Sequence, residues 1–252
     1  NVVGGLLALL VLIFNKEIRE FVGVRRGFRD SIREYARVAF DVGIYSGSVY
    51  LATFFFAGIM SWISIQTVAA HQVANQVFFI SYLPPVGFML TASILIGHLI
   101  GEGRADLIKS ATYKIMALCI SSVTVISIFT FLFARPLAGL FSPMDLTVVN
   151  MATKAIKFVA INQVCCAVYL VLRGALTGAG ETSYVMYMGL VSGYAVFLPA
   201  AYMLSIFFGY GLMGGYVALW IWTLTSCSLF GYRFITKTIK LQQENPAQKS
   251  IF

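Results

Sequence analysis

Beyond its first few dozen residues the chain alternates long apolar runs with short polar connectors. Six runs, near residues 38–63, 73–100, 111–134, 155–176, 184–208 and 212–235, are long enough to cross a bilayer, which takes about 20 residues of helix. Lipid offers no hydrogen-bond partners, so each run can satisfy its own backbone only as a helix. Strands of a membrane barrel would be short and would alternate apolar with polar, and these runs do neither. The pattern predicts an all-α fold, a polytopic membrane helix bundle of six transmembrane helices. The opening apolar run, residues 2–14, is too short to cross and has no basic segment before it, so it does not read as a signal peptide. It predicts a chain that begins part-way through a helix. The expected organisation is the end of a preceding transmembrane helix at 1–14, a basic amphipathic cytoplasmic linker at 15–37, a six-helix membrane bundle at 38–236 and a cytoplasmic tail at 237–252.

Composition narrows the class further. Hydrophobic residues make up 59% of the 252 and charged residues only 11%, against about 25% charged in an average soluble domain. So little charge cannot cover a globular surface, which argues against a soluble enzyme, a nucleic-acid module and a disordered chain. The net charge of +8 comes from 18 Lys and Arg against 10 Asp and Glu, and most of the cations sit between apolar runs. If the helices alternate, one side holds Lys16, Arg19, Arg25, Arg26, Arg29, Arg33, Arg37, Arg104, Lys109, Lys114, Arg173, Arg233, Lys237, Lys240 and Lys249, and the other only Arg135, Lys154 and Lys157. The positive-inside rule then places the linker and the C-terminus in the cytoplasm. Within the linker Phe21, Phe28, Ile32 and Tyr35 recur at helical spacing, with Arg25, Arg26, Arg29 and Arg33 between them. This fits a helix lying in the membrane interface with its arginines at anionic headgroups. A solvated basic loop is the alternative.

Inside the runs, polar groups are few. Asp41 lies three residues beyond Val38, and an ionisable group within a span marks a functional candidate. Its simpler role is a partner for Arg37, four residues earlier. His71, Gln72, Asn75 and Gln76 fall at the outer start of the second run, and Asn162 and Gln163 in the fourth. Amides there either tie helices together or form a polar wall of a cavity. His71, placed at a helix end, reads as an interfacial histidine, and His98 likewise. Cys119, Cys165, Cys166 and Cys227 lie in apolar stretches without metal-ligand spacing and read as packing residues. Glycines four apart (Gly43/Gly47, Gly97/Gly101, Gly174/Gly178, Gly189/Gly193 and Gly211/Gly215) suit close helix approach. Pro84-Pro85 in the second run predicts a kink, either a packing bend or a cavity-lining hinge. No catalytic set, metal site or cofactor motif appears, so an enzyme is not expected.

Three stretches carry a family resemblance. Thr67-Val68-Ala69-Ala70-His71-Gln72-Val73-Ala74 resembles the motif opening the eighth helix of multidrug and toxic compound extrusion (MATE) transporters. Leu99-Ile100-Gly101-Glu102-Gly103-Arg104 is similar to the Gly-rich turn that closes it. Leu172-Arg173-Gly174-Ala175-Leu176-Thr177-Gly178-Ala179-Gly180-Glu181-Thr182 resembles the family's turn after the tenth helix. Order and spacing agree along nearly the whole chain. The resemblance implies one lobe, helices seven to twelve, of a twelve-helix transporter with two pseudo-symmetric lobes, and an N-terminal lobe absent from this chain. It also implies a cation-coupled antiporter, driven by H⁺ or Na⁺, that exports organic, often cationic or amphipathic, compounds by alternating access. The partners expected are a small-molecule substrate and membrane lipids, with no nucleic acid, and the expected location is a bacterial inner membrane.

One branch of the family carries coupling carboxylates in helices seven and ten. Those positions align near Val49 and Cys166, neither of them acidic, and Asp41 aligns nearer a proline of that branch. A second, DinF-like branch couples through an Asp of the N-terminal lobe, which leaves Asp41 as the ion-linked candidate within this chain. Tyr45, Tyr50, Gln76, Asn162, Gln163 and Tyr169 are the expected cavity residues. The alternatives are a lipid-linked precursor flippase of the same superfamily and a non-transporting half-length membrane partner. A flippase should show a cationic cavity. With Arg173 placed near a helix end, no Lys or Arg is expected in mid-helix, which disfavours it.

Overall fold

A computed structural model describes the backbone of residues 28–142 and 145–244, and the side chains of 36–142 and 145–239. The chain divides into two compact units, residues 1–41 and 42–252. Of the first unit, the described part is the opening of helix α1 (Phe28–Ile63). Residues 36–40 are exposed there and Asp41 is buried. Residues 28–37 of the expected linker are thus helical. The expectations for 1–14, 15–27 and the end of the tail fall outside the described residues.

The second unit continues with α2 (Ile65–Gly101), α3 (Leu107–Leu132), α4 (Ala134–Phe141) and α5 (Leu146–Gly178). After α6 (Thr182–Leu190) come a π-helical segment (Val191–Phe197), α7 (Leu198–Tyr202), a second π segment (Met203–Phe207) and α8 (Gly211–Glu244). Among the described residues, six helical stretches are long and apolar enough to cross a membrane: Ala36–Ile63, Ile65–Gly101, Leu107–Leu132, Leu146–Gly178, Thr182–Phe207 and Gly211–Ile239. The six expected spans are therefore present, and two begin about two turns earlier than the apolar runs suggested. Ser64 caps α2, its hydroxyl accepting from the Thr67 N–H at 3.0 Å. Asp145 caps α5, its Oδ1 accepting from the N–H groups of Thr147 and Val148 at 2.8 and 3.2 Å. Each cap satisfies first-turn N–H groups that have no partner within the helix.

Two connectors at the opposite end share one geometry. Gly103 and Gly180 have φ near +73° and +76°, a conformation open to glycine because it lacks Cβ. Each lets the next residue reach back to the helix it leaves, Arg104 N–H to the Leu99 carbonyl at 2.9 Å and Glu181 N–H to the Leu176 carbonyl at 3.0 Å. These are Schellman closures, and they return the chain sharply into the next span.

Helix α5 is the hub. It packs on α2, α3, α4 and α8, and 67% of its most apolar stretch is buried, against 22–39% for the other spans. Lipid tails are as apolar as the side chains, so the helices are held by close fit rather than by escape from water. The tightest fit joins α5 to α2. A Cβ added at Gly174 would stand 2.1 Å from the Met89 carbonyl oxygen, and one at Gly178 2.2 Å from that of Ser93. Of the expected glycine pairs this is the one in which both members meet a neighbour closely. Gly189 faces the Tyr45 ring and Gly215 faces Met60 and Phe56, each singly. Gly43, Gly47, Gly101, Gly193 and Gly211 have open space around them within the described structure. Four-residue spacing alone does not say which face a helix turns inward.

Candidate functional site

Between α1, α2, α5, the π segment Val191–Phe197 and α8 lies a cavity of about 360 Å³. Its wall on α1 runs from Tyr45 to Phe56 and on α5 from Phe158 to Arg173. At 1.5 Å per residue these are about 16 and 22 Å of helix, so the cavity is long and follows the spans. The two ends differ in chemistry.

One end is aromatic. The Phe56 ring meets His71 edge-on at 4.9 Å and lies 5.1 Å from Phe197. His71 Nδ1 is 3.2 Å from the Tyr216 hydroxyl. His71 is thus a cavity wall residue, 4% exposed, and not the interfacial histidine expected at a helix end. The reason is that α2 starts at Ile65, which carries His71 well inside the bundle. His98 does lie near a helix end, with an exposed side chain and Nδ1 3.2 Å from Glu102 Oε1.

The other end, toward the two glycine turns, holds Tyr45, Tyr82, Tyr169, Met89 and Arg173. The Tyr45 and Tyr169 hydroxyls are 3.5 Å apart. The Arg173 guanidinium stacks on the Tyr45 ring, 3.8 Å from its centroid, a cation–π contact. Tyr82 and Tyr169 line the same end of the cavity. Arg173 lies near a helix end, as expected, but the wall is not for that reason free of a cation. Arg173 sits a turn and a half before the end of α5, and its side chain turns along the wall instead of toward the headgroups.

Between the ends, Asn162 donates to the Thr223 hydroxyl at 3.1 Å and toward Cys166 Sγ at 3.5 Å. Of the six residues expected to line a cavity, Tyr45, Tyr50, Asn162 and Tyr169 do so. Tyr45, Asn162 and Tyr169 are buried, whereas Tyr50 is 71% exposed. Gln76 is exposed, and its neighbour Asn75 is the amide in the wall. Gln163 is buried behind the wall, its Nε2 without a hydrogen-bond partner. Val49 and Cys166, at the positions where one branch bears carboxylates, both line the cavity. Asp41, the last residue of the first unit, is buried and has interactions of its own. Two further features escaped sequence reasoning. The π segment contributes Gly193, Tyr194 and Phe197 to the wall, and Trp222, which donates from Nε1 to Ser192 at 3.2 Å, joins it from α8. Gly193 and Pro199, helix breakers in the middle of a span, were the available signal.

Outside the cavity, the Glu181 carboxylate receives Arg233 Nη2 at 2.6 Å and Lys237 Nζ at 2.7 Å. This ties the α5–α6 turn to α8. Desolvation alone would raise the Glu181 pKa, but the hydrogen bonds and charges of Lys237 and Arg233 outweigh it and hold the carboxyl below its ordinary range.

Residues 42–203 match the MatE family. The chain belongs to that family. It is 24% identical over 189 residues to a probable multidrug resistance protein NorM of Thermotoga maritima, covering 75% of this chain and 40% of that protein. It is 29% identical over 179 residues to a probable NorM of Brucella suis, covering 69% and 37%. A crystal structure of a MATE protein in the straight conformation superposes with a TM-score of 0.82 at 16% identity, over 96% of this chain and 55% of that one. The chain thus spans between about a third and a little over half of the MatE relatives it matches, as a single lobe. MatE proteins are transporters, not enzymes, and with six apolar spans this one is an integral membrane protein.

Proposed function

We propose that this lobe works as the C-terminal half of an ion-coupled antiporter that exports small amphipathic organic compounds by alternating access. The observation that carries the reading is the cavity. It is enclosed by five spans, is lined by aromatic rings with a few polar groups, and has a volume in the range of small-molecule sites. The names of the relatives supply the substrate class. An N-terminal lobe would close the other side, with its own helices facing Tyr50. Val49 and Cys166 put no carboxylate in this wall, so coupling to H⁺ or Na⁺ falls to the N-terminal lobe, as in the DinF-like branch, or to Asp41. The asymmetry of Lys and Arg orients the C-terminus to the cytoplasm, and the bacterial inner membrane is the proposed location.

The test uses the full-length protein in proteoliposomes with an imposed H⁺ or Na⁺ gradient and a panel of fluorescent amphiphiles. Gradient-driven efflux is expected, reduced for at least one compound by Tyr50→Ala or Asn162→Ala. Efflux unchanged for every compound would remove both residues from the pathway, and no efflux under either gradient would remove the antiporter reading. The flippase reading gains from one observation, the Arg173 guanidinium in the cavity wall, since a lipid-linked precursor carries phosphate.

A further inference from the structure

Among the described residues, the cavity wall includes no Asp or Glu, and Arg173 is its one permanently charged residue. Among the described residues, the ion pairs of Glu102 with His98 and Arg104 and of Glu181 with Arg233 and Lys237 leave Arg173 out. A guanidinium is always charged, and its planar fork of donors matches the two oxygens of a carboxylate or phosphate. Placing one within a span is costly, and such residues usually mark a substrate path. Here neutral phenols surround it: Tyr45 braces its face, and Tyr45, Tyr82 and Tyr169 lie beside it. These groups stabilise the cation without neutralising it, so its charge remains available to a ligand.

The opposite end, built from Phe56, Phe197, Tyr216 and His71, accepts an apolar or aromatic body. The geometry points to a substrate with an anionic group, carboxylate or phosphate, at Arg173 and an apolar body reaching toward Phe56. This rests on the transport reading for its biological meaning but concerns the binding chemistry of this lobe alone. It departs from an organic-cation preference, toward which this lobe's wall offers no carboxylate at Val49 or Cys166.

Binding to the purified full-length protein tests it, read by quenching of tryptophan fluorescence, since Trp220 and Trp222 line the cavity. The probes are 2-naphthylacetate, its methyl ester and 2-(2-naphthyl)ethylammonium, which share a ring and differ in charge. The acetate is expected to bind at least tenfold more tightly than the ammonium. Arg173→Gln should abolish that preference while leaving the ester's affinity within twofold, and Arg173→Lys should keep part of it. Equal or tighter binding of the ammonium to the wild type overturns the inference, as does an unchanged acetate affinity in a folded Arg173→Gln variant. If that variant does not fold, the wild-type preference and the Arg173→Lys variant decide. Displacement of the acetate by lysophosphatidic acid at tenfold lower concentration than by free naphthyl phosphate would assign the anion to a lipid, and the reverse order to a soluble compound. Charge-selective binding without gradient-driven efflux would sink the antiporter reading and leave this one standing. Efflux with no charge preference would do the opposite.

Discussion

Single side chains here take their meaning from where a helix begins. His71 and Arg173 both sit near the edges of apolar runs in sequence, and both line the cavity. The first was misplaced because the polar cluster from His71 to Gln76 hides the start of α2 at Ile65. The second was misplaced because a residue near a helix end can still direct a long side chain inward. Tyr45 and Tyr169, in the first and fourth spans, were legible as cavity residues, whereas Gln76 and Asn75 were not separable without knowing which face of α2 turns inward. Asp41 is the residue for which substitution says most. It is 5% exposed, and a carboxylate buried in a span is retained at a cost that a function must offset. Asp41→Asn is expected to lower ion-coupled efflux while leaving expression and membrane insertion unchanged. Wild-type transport by that variant would return Asp41 to a structural role.

At the scale of elements, fit between helices is the main source of stability, and it is concentrated between α2 and α5. Gly174→Ala is expected to destabilise by about 1–3 kcal/mol, the usual range for overpacking, or to prevent folding outright, because the obstructing atoms are backbone at Met89. Gly101→Ala, with nothing within 4 Å, should be tolerated. Thermal unfolding in detergent separates the two. The Glu181 cluster predicts a pH effect of known sign. Its carboxyl is held below the ordinary range, so the stability it adds is present above that range and is lost as pH falls through the lowered value. Glu181→Gln should therefore cost on the order of 1 kcal/mol near neutral pH, limited by the solvent exposure of Arg233, and should flatten the acid side of the Tm–pH profile. A mutant profile parallel to the wild type's would mean that Arg233 and Lys237 add nothing there. Element existence was legible because lipid permits only helices. Short α4, whose buried face is just Ala134 and Ala138, fell in the connector after the third run, and no periodicity marked the π segments.

For the whole molecule, charge asymmetry supplies a prediction that the helices by themselves cannot. The connector with Arg104 should face the cytoplasm and that with Arg135 the opposite side. Cysteines introduced at 104 and 135, in a background without the four native ones, should label from opposite faces of sealed vesicles with a membrane-impermeant maleimide. Labelling of both from one face would contradict an even alternation of spans. With such an orientation the cationic end of the cavity lies toward the cytoplasm, where compounds for export would be collected.

The fifth span has a consequence for how the lobe tolerates change. A π turn holds an extra residue compared with an α turn, so the helix beyond Val191–Phe197 is out of phase with the helix before it. Phase is what lets one strand of backbone offer Gly189 to Tyr45 below and Phe197 to Phe56 above. Forcing the same sequence into an unbroken α-helix would turn everything above that segment by about 100° for each extra residue the wide turn absorbs. The span would keep all its hydropathy, yet its upper half would present the wrong side to the cavity. Deleting one residue from the segment would instead let it close as an α-helix with the faces above it nearly in place, so in this lobe a one-residue gap does more damage outside the wide turn than within it.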